Sequence, residues 1–414
     1  MRKLTYASLA SIFMVPAMFW SQESSAIPAF ARKYSTSCYT CHSGFPTRNA
    51  FGEAFRNNGY RWPGGEDNDH AKQEQLQMGA NGWKKTFPSS PWPVDIPGYA
   101  PFSVWARGNI VNYSGRVTRS NGALRTEETF NYGTGPMNTA SIFFGGTMGD
   151  NLSAFAQYSP TAGATTGHIV WSFRPGLNLS LGNGFTDFNF GNAIQIHSNV
   201  FPSFTTSNST ELSFTKGDTG GFKLTAGLMQ GGTANSNKMD DLGYVRAKVK
   251  IGGAGLLSGA GGTYGNEYVG LDNHVALGAT LMNGKAGIFS GVTSYAGETL
   301  VYGADITGNY GSFTGGAALS KDSDLGFTNY TVNGGYFIYP WAKAAVTYTN
   351  LRDGANPSIG MSLTTHLRAN ASLTATYTYR TNSTETPTTV AAGSGVGVGD
   401  STPNTFTLAA GFAF

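Results

Sequence analysis

At 414 residues the chain has room for two domains, and it carries only 12% charged residues, about half the usual share, with a net charge of +3 at pH 7. So small a basic excess argues against a nucleic-acid partner. Fifty-seven glycines, 27 phenylalanines, 20 tyrosines and 7 tryptophans suit short strands joined by tight turns.

Residues 1–26 read as a secretory signal: Arg2 and Lys3 form the charged start, Leu4 to Trp20 is mostly apolar, and Ser24-Ser25-Ala26 is a small-residue cleavage site. The mature chain is expected to begin at Ile27. Beyond the signal there is no run of about 18 apolar residues, so no transmembrane helix is expected.

Residues 27–80 read as a small helical domain organised around Cys38-Tyr39-Thr40-Cys41-His42. Two cysteines three apart on one face of a turn can form thioethers to the two vinyl groups of one haem. The next residue, His42, offers a ring nitrogen to the iron. This spacing is the c-type haem attachment signature. The chain has only these two cysteines, so one covalent haem is expected. The alternatives are a redox dithiol, a disulfide or half a zinc site. A dithiol needs no adjacent His and sits near a βαβ pattern absent here. Zinc would need further ligands at finger-like spacing, and none follow. Met78 and His70 are the candidate distal ligands, with a barrel residue or an open position as alternatives. Met would raise the haem potential. His70 sits in the acidic loop Glu66-Asp67-Asn68-Asp69, where simple solvation is the plain alternative.

Around this motif, Ser35-Thr36-Ser37 offer N-caps for the turn that carries the cysteines. Thr47 is placed to cap a second helix running to about Asn58, with Gly59 as its stop. Ala50, Phe51, Ala54 and Phe55 share one face of it, to pack on a haem plate or an ordinary core. A third helix is expected from Asp69 to Met78. Residues 81–98 hold four prolines between Phe87 and Gly98 and read as a stiff connector.

Residues 99–414 read as an outer-membrane β-barrel. From Phe102 onward the period is two. Val245, Val249 and Ile251 alternate with Arg246, Lys248 and Lys250; Val275, Leu277 and Leu281 alternate with His274, Gly278 and Thr280. A soluble sandwich also alternates. Connections that are short and longer in turn favour a transmembrane antiparallel barrel of about 16–18 strands, with the N-terminal domain plugging its lumen or hanging below it. The count of about eighteen includes strands starting near 254 and 285, behind turns at Gly252-Gly253 and Asn283-Gly284, and a long loop over 114–137. His168, His274 and His366 fall on the polar parity. His168 and His274 are expected near the outer rim, to meet an external metal ion or to serve as plain polar lumen residues. Arg246, Lys248 and Lys250 form a basic lumen row, to pair with haem propionates or with a plug carboxylate such as Glu53, or to stay solvated.

The run Cys38-Tyr39-Thr40-Cys41-His42, then Pro46, Asn49, Phe51-Gly52, Phe55 and Gly59-Tyr60, resembles the fused outer-membrane cytochrome–porins of iron-oxidising bacteria. The resemblance covers about 25 residues; the barrel matches in architecture. Arg48 and Glu53 depart from the family pattern, which has an apolar residue before the Asn and a basic one after Phe-Gly. The resemblance implies a monohaem c-type cytochrome domain fused to a barrel in the outer membrane of a Gram-negative bacterium. It implies electron transfer from extracellular Fe(II), as an Fe(II)-oxidising cytochrome, to a periplasmic c-type cytochrome or other carrier. Outward transfer to an external metal acceptor, or a diffusion porin with a structural or sensory haem, are the competing readings.

Overall fold

A computed structural model of the chain describes residues 29–44, 47–64, 67–72, 76–77, 95–96, 101–120, 123–132, 139–160, 163–183, 200–201, 208–230, 242–285, 298–323, 326, 328–350, 357–368, 370–380 and 401–413. The expected signal, the proline-rich run 81–94, Met78 and the strand expected near 285 beyond Lys285 lie outside the described residues.

The N-terminal part is mixed rather than wholly helical. Helix α1 (Ala29–Tyr34) leads to a 3-10 turn, Cys38–Thr40. Strand β1 (His42–Gly44) pairs with β2 (Thr47–Arg48), and α2 (Ala50–Asn57) follows. Thr47 lies in β2, so the cap of α2 is Asn49, whose side chain accepts from the Gly52 amide. Gly59 follows the helix at φ +64°, as a stop glycine should. The third helix is one turn only, α3 (Asp67–His70). A run this short is not stable by propensity, and here the next free amide, Lys72, is taken by the Lys33 carbonyl at 2.8 Å. Strand β3 (Leu76–Gln77) then pairs with β4 (Asp95–Ile96), joining the end of the connector to the plug.

The rest is one closed antiparallel sheet. It begins with β5 (Phe102–Ser120), β6 (Ala123–Tyr132), β7 (Thr139–Met148), β8 (Leu152–Ser159), β9 (Ala164–Arg174) and β10 (Leu177–Asn183). Strands β11 (Asn208–Lys216), β12 (Thr219–Met229) and β13 (Leu242–Ala254) follow. The small ladder β14 (Tyr264–Asn266) with β15 (Leu271–Asp272) interrupts, and β16 (His274–Lys285) resumes the wall. Strands β17 (Glu298–Tyr310), β18 (Phe313–Asp322), β19 (Thr328–Tyr339), β20 (Ala342–Asn350), β21 (Ser358–Arg368), β22 (Ala371–Arg380) and β23 (Ser401–Ala413) complete it, and β23 pairs with β5.

Among the described residues seventeen strands form this sheet and sixteen of them close the wall, since β6 pairs with β5 alone. The lower half of β5 pairs with β7, and its upper half with β6. Within 114–137, where a loop was expected, the upper part of β5 to Ser120 and β6 (Ala123–Tyr132) are instead paired strands that extend the wall. The strand expected near 254 is absent: β13 runs through Gly252 and Gly253, both at positive φ, and pairs directly with β16. Likewise Asn283 and Gly284 stay in register with β13 and β17 rather than turning. An even count returns Ala413 to the rim where Phe102 begins, the rim of the short turns 149–151, 175–176, 311–312 and 340–341.

The wall is apolar outside and polar inside. Along β13, Val245 and Val249 are nearly half exposed and Ile251 is 60% exposed, while Arg246, Lys248 and Lys250 are all under 5%. Trp171, Phe173, Leu224, Leu277, Leu281 and Val332 repeat this outward apolar band. A soluble sandwich buries the opposite face; exposed aliphatics over buried charge require a lipid surround. A closed sheet leaves no unpaired backbone edge to that lipid. No described helix is long and apolar enough to cross a membrane. The protein is an outer-membrane β-barrel.

Candidate functional site

The cysteine motif lies inside the barrel. Ser37 opens the 3-10 turn by accepting from the Tyr39 amide at 3.3 Å, and Cys41 closes it with an N–H to the Cys38 carbonyl at 3.2 Å. Asn49 binds this turn to the helix behind it. Its Nδ2 donates to the Tyr39 carbonyl at 2.8 Å, its backbone N–H to the Cys41 carbonyl at 3.0 Å, and its Oδ1 accepts from Gly52 at 3.0 Å. Gly52 packs so tightly that a β-carbon there would stand 2.0 Å from the Cys41 carbonyl oxygen.

The plug docks on one side of the lumen. Glu53 is paired with Lys248 of the basic row. Burial pushes its carboxyl up, but Lys248, Lys250 and Arg48 outweigh that and hold it at about 2. Asn57 donates to the Leu256 carbonyl at 2.9 Å, accepts from Lys223 Nζ at 2.8 Å, and its carbonyl accepts from Asn178 at 2.8 Å. Asn58 reaches the Leu257 carbonyl at 2.7 Å, and Arg61 the carbonyls of Gly149 and Leu152 at 2.8 and 2.9 Å. Residues 255–273, expected to hold a strand and an outer loop, thus fold inward at the short-turn rim as a seat for α2. Phe55 packs with Phe30, Tyr34 and Tyr60, and Phe51 with Trp62, so the apolar face of α2 meets an aromatic core. Tyr60, at φ +60°, is stacked on Phe30 and Phe155, and its hydroxyl lies 3.1 Å from His168 Nε2.

The other two partners of the basic row are wall and seat carboxylates: Arg246 with Asp305 at 2.7 Å, Lys250 with Asp272 at 2.6 Å. Asp272 also receives His274 at 3.1 Å; burial pushes its carboxyl up, but the His274 hydrogen bond and Lys250 prevail and hold it low. His274 is therefore at the short-turn rim, not the outer one, because β16 begins there. His168, in the longer-connection half of β9, faces the lumen with its Nε2 at the Tyr60 hydroxyl, the polar lumen alternative for this residue. Both are engaged with protein partners.

The two thiols are unbridged. Burial raises the Cys38 thiol, and burial with Cys38 as neighbour pushes Cys41 up to about 12. No group of three or more His, Cys, Asp or Glu able to hold a metal occurs among the described residues. His42 follows directly, its Nδ1 buried. Beside the motif, between the plug and the wall opposite its docking side, a cavity of about 260 Å³ is lined by Ser43, Gly44 and Thr47 and by wall residues that include Trp105, Arg107, Lys343 and His366. Two cysteines on one turn and an adjoining His are the donor set a covalently attached haem would use, and a cavity with basic groups lies next to them, reached through Ser43, Gly44 and Thr47. His70 is stacked flat on Trp62, ring centroids 4.3 Å apart.

One lumen feature had no recognised sequence signal. Val200 and Phe201, from the long connection between β10 and β11, are buried against Met229, Leu242, Tyr244, Met282, Val301 and Ala318. Ser320 donates to the Val200 carbonyl at 2.6 Å. This loop segment lines the far half of the lumen, on the side of the longer connections.

No protein-family model matches the chain, and no curated protein matches it. Among solved structures it is similar to OmpT, an outer membrane protein of Vibrio cholerae, with 14% identity over 76% of this chain and 97% of that one and a TM-score of 0.43. It is also similar to a mutant of the Rh. blastica porin, with 9% identity over 75% of this chain and 100% of that one and a TM-score of 0.41.

Proposed function

We propose that this barrel is an electron conduit of the outer membrane, with one c-type haem attached at Cys38, Cys41 and His42. The observation that carries the reading is the placement of this turn: inside a lipid-facing barrel, on a plug fixed to the wall by Glu53–Lys248, Asn57 and Arg61. Bound there, the haem supplies one-electron exchange. The chain's own residues supply the rest. Cys38 and Cys41 anchor the group, His42 ligates it, and Arg107 and Lys343 set positive charge beside the cavity. The aromatic packing of Phe30, Phe55, Tyr60 and Phe155 excludes water from the opposite side of the plug. An attached group near the short-turn rim would face a periplasmic c-type cytochrome or other carrier. Fe(II) outside the cell is the proposed donor, with an external metal acceptor as the reverse case.

The purified protein should stain for haem on a denaturing gel. Oxidised protein mixed with Fe(II) in a stopped-flow cell should show haem reduction on a fast timescale. Absence of that reduction, with haem present, removes iron as donor. A second reading is a diffusion channel, favoured by the closed sixteen-strand wall itself, since barrels of this size leave an aqueous lumen when nothing fills it. Planar-bilayer recordings separate the two: a large open conductance in the holoprotein favours transport.

A further inference from the structure

His366 is the wall residue that reaches the cysteine motif. It lies near the short-turn end of β21, faces inward and is 8% exposed. Its backbone N–H is fixed to the Trp341 carbonyl at 2.7 Å, so strand register and a turn both set its position. The ring stands edge-on to Tyr39, inside the motif, with centroids 6.5 Å apart. On its other side it abuts Gly44: a β-carbon on that glycine would fall 2.4 Å from His366 Nε2. The imidazole therefore lies between Tyr39 and Gly44, which flank His42 in sequence, and borders the cavity that Ser43, Gly44 and Thr47 line. Arg107 and Lys343 line the same cavity, and none of its lining residues is a carboxylate. The other described histidines are placed elsewhere: His70 on Trp62, His168 on Tyr60, His274 on Asp272.

We infer that His366, supplied by the barrel wall, is the second axial ligand of a haem held at Cys38, Cys41 and His42, with Arg107 and Lys343 facing its propionates. The inference rests on the haem reading above. It makes the site a joint product of plug and barrel, complete only when the plug is docked. Neutral imidazole is a common axial donor for haem iron, and a second nitrogen ligand would set a lower potential than the Met78 alternative.

The test uses the full-length holoprotein in detergent, with covalent haem scored on a haem-stained denaturing gel and barrel folding by heat-modifiable migration. Electron paramagnetic resonance of the ferric wild type should show a low-spin species with two nitrogen axial ligands. His366→Ala should keep its covalent haem and folded migration, turn high-spin, and regain the low-spin signal when imidazole is added. His366→Met, which keeps a ligand and fills the site, should remain low-spin with a raised midpoint potential, and it serves if the alanine variant does not fold. A folded His366→Ala that stays low-spin without imidazole overturns the assignment, as does loss of the low-spin signal in His70→Ala instead. A wild type without covalent haem overturns the underlying reading, and is told apart from those outcomes by the gel alone.

Discussion

Gly52 sits directly beneath the carbonyl of Cys41, with no room for even a methyl group between them. This contact makes the first turn of α2 the floor of the cysteine turn, and Asn49 fastens the two together through three hydrogen bonds. Helix propensity alone would favour Gly52→Ala by roughly 1 kcal/mol. The clash is with backbone, which cannot swing away, and overpacking of this kind costs about 1–3 kcal/mol. Gly52→Ala should therefore lower the thermal midpoint of the folded protein and reduce the yield of covalent haem. A variant as stable and as fully loaded as the wild type would mean the turn is not held from below.

The legible parts of this chain are those with a local cause. The alternation of Val245, Val249 and Ile251 with Arg246, Lys248 and Lys250 comes from a two-residue period, and it assigned inside and outside correctly. Ser37 and Gly59 announce a turn start and a helix stop through their own chemistry. The misreadings share a different origin. Gly252-Gly253 looks like a hairpin turn, but whether two glycines turn or merely bend depends on the strand beside them. The seat at 255–273 and the inward segment at Val200-Phe201 are tertiary choices with no periodicity to show them. The pairing of Glu53 with the basic row was among the sequence's own alternatives, but choosing it over a solvated row took the contact with Lys248, nearly two hundred residues away.

The Glu53–Lys248 pair makes plug docking pH-dependent in a defined direction. The Glu53 carboxyl is held at about 2 in the folded protein, below its ordinary value of 4.5. A depressed carboxyl contributes stability above the ordinary value, and that contribution is lost as pH falls from about 4.5 towards 2. Added protease should thus cut the plug increasingly as the pH is lowered through that window. Glu53→Gln should flatten this dependence and cost about 3–5 kcal/mol at neutral pH, because Lys248 is left buried without its counter-charge. Replacing both, with Glu53→Leu and Lys248→Met, should recover most of the loss in a denaturant titration.

Neighbouring positions on β13 should respond in opposite ways to the same change. Val249 faces lipid and Lys248 faces the lumen. An arginine on the lipid face near the membrane midplane costs about 2–4 kcal/mol. Val249→Arg should lower folding free energy in liposomes by that order, whereas Lys248→Arg, which keeps the charge beside Glu53, should cost much less. Equal losses at the two sites would contradict the assignment of faces.

The lumen is narrowed twice, by different parts of the chain. The plug occupies the short-turn half, and Val200 with Phe201 occupies the wall of the far half. Each should limit ion flow independently. Phe201→Ala should leave the bilayer conductance of the full-length protein near the wild-type level, since the plug still stands in the path. Deleting residues 29–72 should raise conductance, with correct folding checked by heat-modifiable migration. Adding Phe201→Ala to that deletion should raise it again, because the inward segment then loses its phenyl ring from the lumen. If the deletion alone gives the full conductance and Phe201→Ala adds nothing to it, the inward loop segment is a lining of the wall and not a constriction.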